Sequence, residues 1–137
     1  MTPIPPPPIL LSTVGPVLVI MGTGCLVLLL DLLPPRDGKD HLAILSLAGI
    51  VGALLLTVWL WGVERRGFRD MVVLDAYGSF FHVVICYALA LIVLLSMDYL
   101  KRTGTESGEY YALVLFSGSG MMLMSSAADL IVVFLAL

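Results

Sequence analysis

An all-α, polytopic transmembrane helical bundle is the fold the sequence predicts, and three features predict it. First, residues 10–30, 42–63, 76–97 and 110–128 contain no Asp, Glu, Lys or Arg. The charges gather between these stretches, at 31–40, 64–75 and 98–109, with Asp129 alone ahead of the last apolar run. A charge at the bilayer centre costs several kcal/mol, so lipid imposes this segregation on a chain. Second, the sequence is 60% hydrophobic and only 12% charged, against about 25% charged residues in a soluble domain. Third, the stretches are apolar all round, whereas a soluble helix pairs one apolar stripe with a polar face. Twenty-odd residues at about 1.5 Å rise each span a hydrocarbon core about 30 Å thick. Residues 110–128 lie at the short end of that range and call for an upright helix or a thinner bilayer.

Helix one is expected over 9–33. The four prolines at 5–8 favour a short polyproline II arm leading into it. Pro16 falls near its first turn, where a missing N–H does least harm. Pro34-Pro35 stops it, because the residue before a proline is driven out of the helical region. Asp37-Gly38 makes the turn, and Asp40 is the expected N-cap of helix two, over 41–63. Trp59 and Trp61 sit near the far end of helix two, where indole rings settle at headgroup level. Residues 64–70 form a short charged loop and 71–74 an interfacial segment, with Asp75 capping helix three over 76–99. A single tilted helix from Met71 is the alternative. The Thr, Gly and Ser of 101–108 mark an exposed loop before helix four, over 109–128, whose first-turn Glu109 suits the positive end of the helix dipole. Asp129 is expected to cap a truncated fifth helix from 129. The eight residues after it cover roughly 12 Å, too little to cross a bilayer. The expectation is one membrane domain over 1–137 that is a piece of a longer chain, or whose end a neighbouring chain shelters.

Few residues offer chemistry. The few Lys and Arg lie at membrane edges and form no basic stripe, which excludes nucleic-acid binding. No basic segment precedes the first span, and that span is too long for the apolar core of a cleavable leader. Cys25 and Cys86 both fall inside apolar stretches and read as packing residues, with no metal-type spacing between them. Small residues in helix two (Ala48, Gly49, Gly52, Ala53) and helix four (Ser117 to Gly120, Ser125 to Ala128) permit close helix approach in lipid. Met121, Met122 and Met124 point in different directions on a helix and read as adaptable packing rather than a shared soft-metal set. Transport of protons across a bilayer needs titratable groups at membrane depth. Three residues qualify as proton-path candidates. His82 lies one to two turns into helix three, Asp31 at the inner end of helix one and Asp129 at the start of helix five. Each has a plainer reading as well. The histidine fits a boundary residue bonded to a neighbour, and the two aspartates fit boundary or capping residues. No phosphate loop, nucleophile–base pair or redox motif is present, so the residues alone indicate no catalytic, cofactor or metal site. With the N-terminus outside, Arg36, Lys39, Lys101 and Arg102 are cytoplasmic, against Arg65, Arg66 and Arg69 outside, a narrow positive-inside margin.

Several motifs add a resemblance. The stretches Glu109-Tyr110-Tyr111-Ala112-Leu113-Val114-Leu115-Phe116 and Gly120-Met121-Met122-Leu123-Met124-Ser125-Ser126-Ala127 resemble the subunit N family of NADH-quinone oxidoreductase, the proton-pumping respiratory complex I. So do Asp129-Leu130-Ile131, Phe134-Leu135-Ala136-Leu137 and Val73-Leu74-Asp75-Ala76-Tyr77-Gly78-Ser79-Phe80-Phe81. Helices one and two match in character rather than in motif. The resemblance implies the N-terminal part of an antiporter-like fold of about fourteen helices, in the cell inner membrane, with a periplasmic N-terminus. It implies a subunit that helps couple quinone reduction to proton movement and packs against other membrane subunits and lipid. NADH, flavin, iron–sulfur clusters and quinone would be bound by the wider complex and none by this chain. The Glu and Lys residues that carry the family's proton work match no position here, so the implied role is scaffold. A D-type subunit of a multisubunit sodium/proton antiporter shares the fold and is the sibling alternative. A small four-helix structural membrane protein is the alternative from another class.

Overall fold

A computed structural model describes residues 14–33, 40–61, 65–67, 72–74, 76–105, 107–127 and 130–137. Helix α1 (Gly15–Asp31) is followed by α2 (Asp40–Trp59), the short strands β1 (Arg65–Gly67) and β2 (Val72–Leu74), α3 (Ala76–Thr103), α4 (Gly108–Ser125) and α5 (Leu130–Ala136). Each of α1 to α4 packs on the next, and α4 closes the ring against α1. Cross-helix neighbours run in opposite senses: Thr23 faces Gly49, Gly24 faces Phe116, Leu89 faces Gly118 and Lys101 faces Asp40. The result is an up-down-up-down bundle of four helices, with α5 returning along α4, where Gly120 lies beside the backbone of Ala136.

The buried positions recur every three to four residues, as one face of a helix must. In α3 they include His82, Cys86, Leu89, Val93, Ser96 and Leu100; in α1, Val17, Ile20, Gly24 and Val27. The interior is the more polar side of this bundle. Ser46, Thr57, Ser79, His82, Ser96, Ser119 and Ser126 are all buried, while Leu29, Leu55, Trp59, Phe80, Leu95 and Leu113 face outward. Water would invert that arrangement. Helices α2 and α3 are long and apolar enough to cross a membrane, and in their most apolar windows only 33% and 22% of residues are buried in this chain. A soluble core helix would be mostly covered, so these faces meet lipid or other membrane helices. The chain is therefore an all-α polytopic membrane bundle.

Several boundaries differ from expectation for local reasons. Helix α1 begins at Gly15 with Pro16 in its first turn. Residues 1–13, including the polyproline segment, lie outside the described residues, as do Asp75 and Asp129. Helix α2 takes Asp40 as its first residue, and the Asp40 carboxylate meets Lys101 Nζ at 2.6 Å. That pair is about half exposed, so its worth is at most about 1 kcal/mol. Helix α3 continues past the expected end at Tyr99 to Thr103. Lys101 and Arg102 suit the negative end of the helix dipole, and Arg102 pairs with Asp98 one turn back at 3.0 Å. Gly104, at φ +68°, then ends the helix in the left-handed conformation that glycine adopts freely. Leaving the membrane and ending the helix are thus separate events. The segment before α3 is a short strand, not the helical extension given as the alternative. Val72–Leu74 pairs antiparallel with Arg65–Gly67, Arg66 opposite Val73, as β-branched residues favour.

Glycine fixes the tightest approaches. A Cβ on Gly49 would collide with Thr23, and one on Gly118 with the buried Leu89. Gly22 has open space around it. Gly118→Val should destabilise the bundle by about 1–3 kcal/mol through overpacking between α3 and α4. Gly22→Ala should stabilise it by up to about 1 kcal/mol through helix propensity. Reversible unfolding of both variants in mixed detergent and dodecyl sulfate checks the opposite signs.

Candidate functional site

Hydroxyl groups inside the bundle mostly return to their own helix. Ser46 donates to the Leu42 carbonyl at 2.8 Å, Thr57 to Ala53 at 2.9 Å and Ser119 to Phe116 at 2.7 Å. Such back-bonding satisfies a hydroxyl where water is absent. Two polar contacts instead cross from α3 to α4. Near the loop joining them, Ser96 Oγ and Tyr110 Oη lie 2.7 Å apart. At the opposite end His82 reaches the last turn of α4.

His82 is fully buried. Its Nε2 lies 2.9 Å from the Met122 carbonyl oxygen and 2.8 Å from Ser126 Oγ. A carbonyl oxygen only accepts, so Nε2 carries the proton and donates it. The other ring nitrogen, Nδ1, is buried without a hydrogen-bond partner among the described residues. The Met122 carbonyl belongs to the final turn of α4. Its backbone partner, the Ser126 amide, stands 3.3 Å away and is shared with the Leu123 carbonyl. Ser125 Oγ adds a donor at 2.7 Å. The imidazole thus acts as a side-chain cap on a helix C-terminus.

Asp31 is the last residue of α1 and half-buried. It lies against Gly108, the first residue of α4, where an added Cβ would come within 2.6 Å of the Asp31 side chain. An anion beside a helix N-terminus is stabilised by the helix dipole. The structure therefore places Asp31 and His82 at opposite ends of α4 and does not bring them together. Asp129 lies outside the described residues, three positions beyond Ser126. Met122 is fully buried while Met121 is 43% exposed, so the methionines diverge. Cys86 is buried on α3 and Cys25 is exposed on α1. Ser126 and the Met122 carbonyl are the partners that sequence reasoning missed. They stand 44 and 40 residues from His82, and only the register of the α3–α4 hairpin could have joined them.

No family model matches the chain. Curated proteins do. Over 127 residues it is 40% identical to NADH-quinone oxidoreductase subunit N of Trichlorobacter lovleyi, covering 93% of this chain and 26% of that protein. It is 37% identical to subunit N 2 of Roseiflexus castenholzii, over 100% of this chain and 28% of the relative. For subunit N of Chloroflexus aggregans the figures are 36% identity, 96% of this chain and 27% of the relative. The relatives of this chain are subunit N proteins. The chain spans about a quarter of the length of the subunit N relatives it matches. Likeness to subunit N extends over α1 and α2, where the motifs alone gave only a match in character.

His82→Ala should cost about 1–3 kcal/mol, because it leaves the buried Ser126 hydroxyl without its His82 partner. Amide exchange at Ser125 and Ser126 should quicken in the variant while exchange near Tyr110 stays unchanged; hydrogen exchange in lipid nanodiscs checks both.

Proposed function

We propose that this chain is a membrane-helical portion of a proton-translocating NADH-quinone oxidoreductase. In this reading it serves as part of a subunit N that helps couple quinone reduction to proton movement. The observation that carries the reading is identity of 36–40% with proteins of that name over 93–100% of this chain. The bundle suits the role. Its outer faces are apolar, its interior is closely packed around glycine, and its spans carry no Asp, Glu, Lys or Arg.

In this proposal α1 to α4 act as scaffold, and the Glu and Lys of the proton channels lie outside these residues. NADH, flavin, iron–sulfur clusters and quinone bind elsewhere in the complex. The partners are other membrane subunits and lipid. The membrane is the cell inner membrane, with the N-terminus periplasmic. That orientation puts the Asp40–Lys101 pair on the cytoplasmic side and His82 nearer the periplasm. Of the two proton-path candidates among the described residues, His82 is held in the interior, and Asp31 reads as a cap on α4.

An affinity-tagged chain extracted in mild detergent should co-migrate with NADH-quinone oxidoreductase activity. Recovery only in fractions free of that activity would reject the proposal. For orientation, Thr105→Cys in the α3–α4 loop should react with an impermeant maleimide in inverted vesicles and not in intact cells.

A further inference from the structure

We propose that His82 is a proton-binding site within the membrane bundle, loading and releasing its proton at Nδ1 while Nε2 stays locked to the end of α4. The argument begins with the fixed nitrogen. Nε2 faces the Met122 carbonyl at 2.9 Å and Ser126 Oγ at 2.8 Å. The opposite tautomer would set an Nε2 lone pair against a carbonyl lone pair, so the neutral ring is the Nε2–H form. The one atom able to take a further proton is Nδ1, fully buried and unpartnered among the described residues. An unpaired buried acceptor costs about 1–3 kcal/mol, which marks Nδ1 as the atom whose partner is unassigned. In the loading step a water-borne hydronium gives one proton to the Nδ1 lone pair, leaving water and an imidazolium. Release reverses the same bond. The Nε2–H contacts persist in both states, so loading does not release α4.

The surroundings favour such a site. The ring abuts the carbonyl end of α4, the negative pole of that helix, where a cation is stabilised. The elements packed on α3 are α2, α4 and β2. Their titratable groups, Asp40 and His41 on α2 and Glu109, Tyr110 and Tyr111 on α4, belong to the opposite end of the bundle, as the Asp40–Lys101 and Tyr110–Ser96 contacts show. Strand β2, Val72–Leu74, carries none. On α3 itself Cys86 is the nearest buried titratable group, one turn beyond His82. Use of the site by a proton-moving complex rests on the function proposed above; the site itself needs only this geometry.

The test is nitrogen-15 spectroscopy of the full chain, labelled at histidine, in lipid nanodiscs. His82 is identified as the signal lost in His82→Gln, which leaves His41. The expected neutral ring is the Nε2–H tautomer, and it converts to the doubly protonated ring on acidification while the bundle stays folded. A Gln amide reaches the Nε2 position as a donor but takes up no proton. His82→Gln should therefore retain the stability that His82→Ala loses, while the His82 signal and its protonation disappear. An Nδ1–H tautomer, or a ring that stays neutral until the bundle unfolds, overturns the proposal. Neither readout depends on a partner subunit, so failure here is separable from failure of the tagged chain to co-migrate with NADH-quinone oxidoreductase.

Discussion

A hydroxyl, imidazole or helix-end carbonyl held in hydrocarbon has no water to turn to, so the protein itself must supply each partner. That constraint orders this bundle more than apolar burial does. Lipid is as apolar as leucine, and sequestering Leu29 or Leu95 would gain nothing in a membrane. What gains is the withdrawal of Ser46, Thr57, Ser119 and His82 to positions where a carbonyl waits. Close backbone approach supplies the rest, through dispersion at contacts such as Gly49 on Thr23 and Gly118 on Leu89.

The α3–α4 hairpin shows how the two terms cooperate. Gly118 lets α4 sink onto Leu89 midway along the pair. Polar contacts then pin both ends, Ser96 with Tyr110 near the loop and His82 with Met122 and Ser126 at the far end. Apolar packing in lipid resists sliding only weakly. A hydrogen bond at each end fixes the register, since a slip by one residue would strand a buried hydroxyl and a buried imidazole. Asp31 against Gly108 extends the fixing to α1, which touches the start of the same helix.

Much of this was legible in the sequence. Segregated charge pointed to apolar helices, of which α2 and α3 are long enough to cross a membrane, and Pro16 lies in the first turn of α1, because lipid and proline act on single residues without regard to what lies across the bundle. The end of α3 was misjudged because the membrane edge and the helix stop were treated as one signal. The stop is Gly104, several residues beyond the last apolar stretch. The strand pair escaped notice because three residues on each side are too few for a period-two pattern to register. His82 was recognisable as a titratable group near membrane depth, but its role depends on a carbonyl 40 residues away, and a carbonyl has no signature in a sequence. Kinship with subunit N was readable from motifs only after Val73, yet the identity runs through α1 and α2, where similarity is spread thinly over many apolar positions.

The depth of the α4 terminus explains why a histidine stands where it does. Six residues of α3 precede His82, so the ring lies roughly 9 Å in from the start of that helix. The end of α4 meets the ring there. Non-helical backbone at that depth is tolerated only where protein satisfies it. Ser125 Oγ and the Ser126 amide supply donors from within the turn itself. A further donor comes from the neighbouring helix, and it reaches across without bringing a permanent charge. Lysine or arginine would reach, at the cost of a cation that cannot be neutral there cheaply. Asparagine or glutamine would donate and remain inert. Histidine donates while neutral and keeps one nitrogen in reserve beside the end of α4.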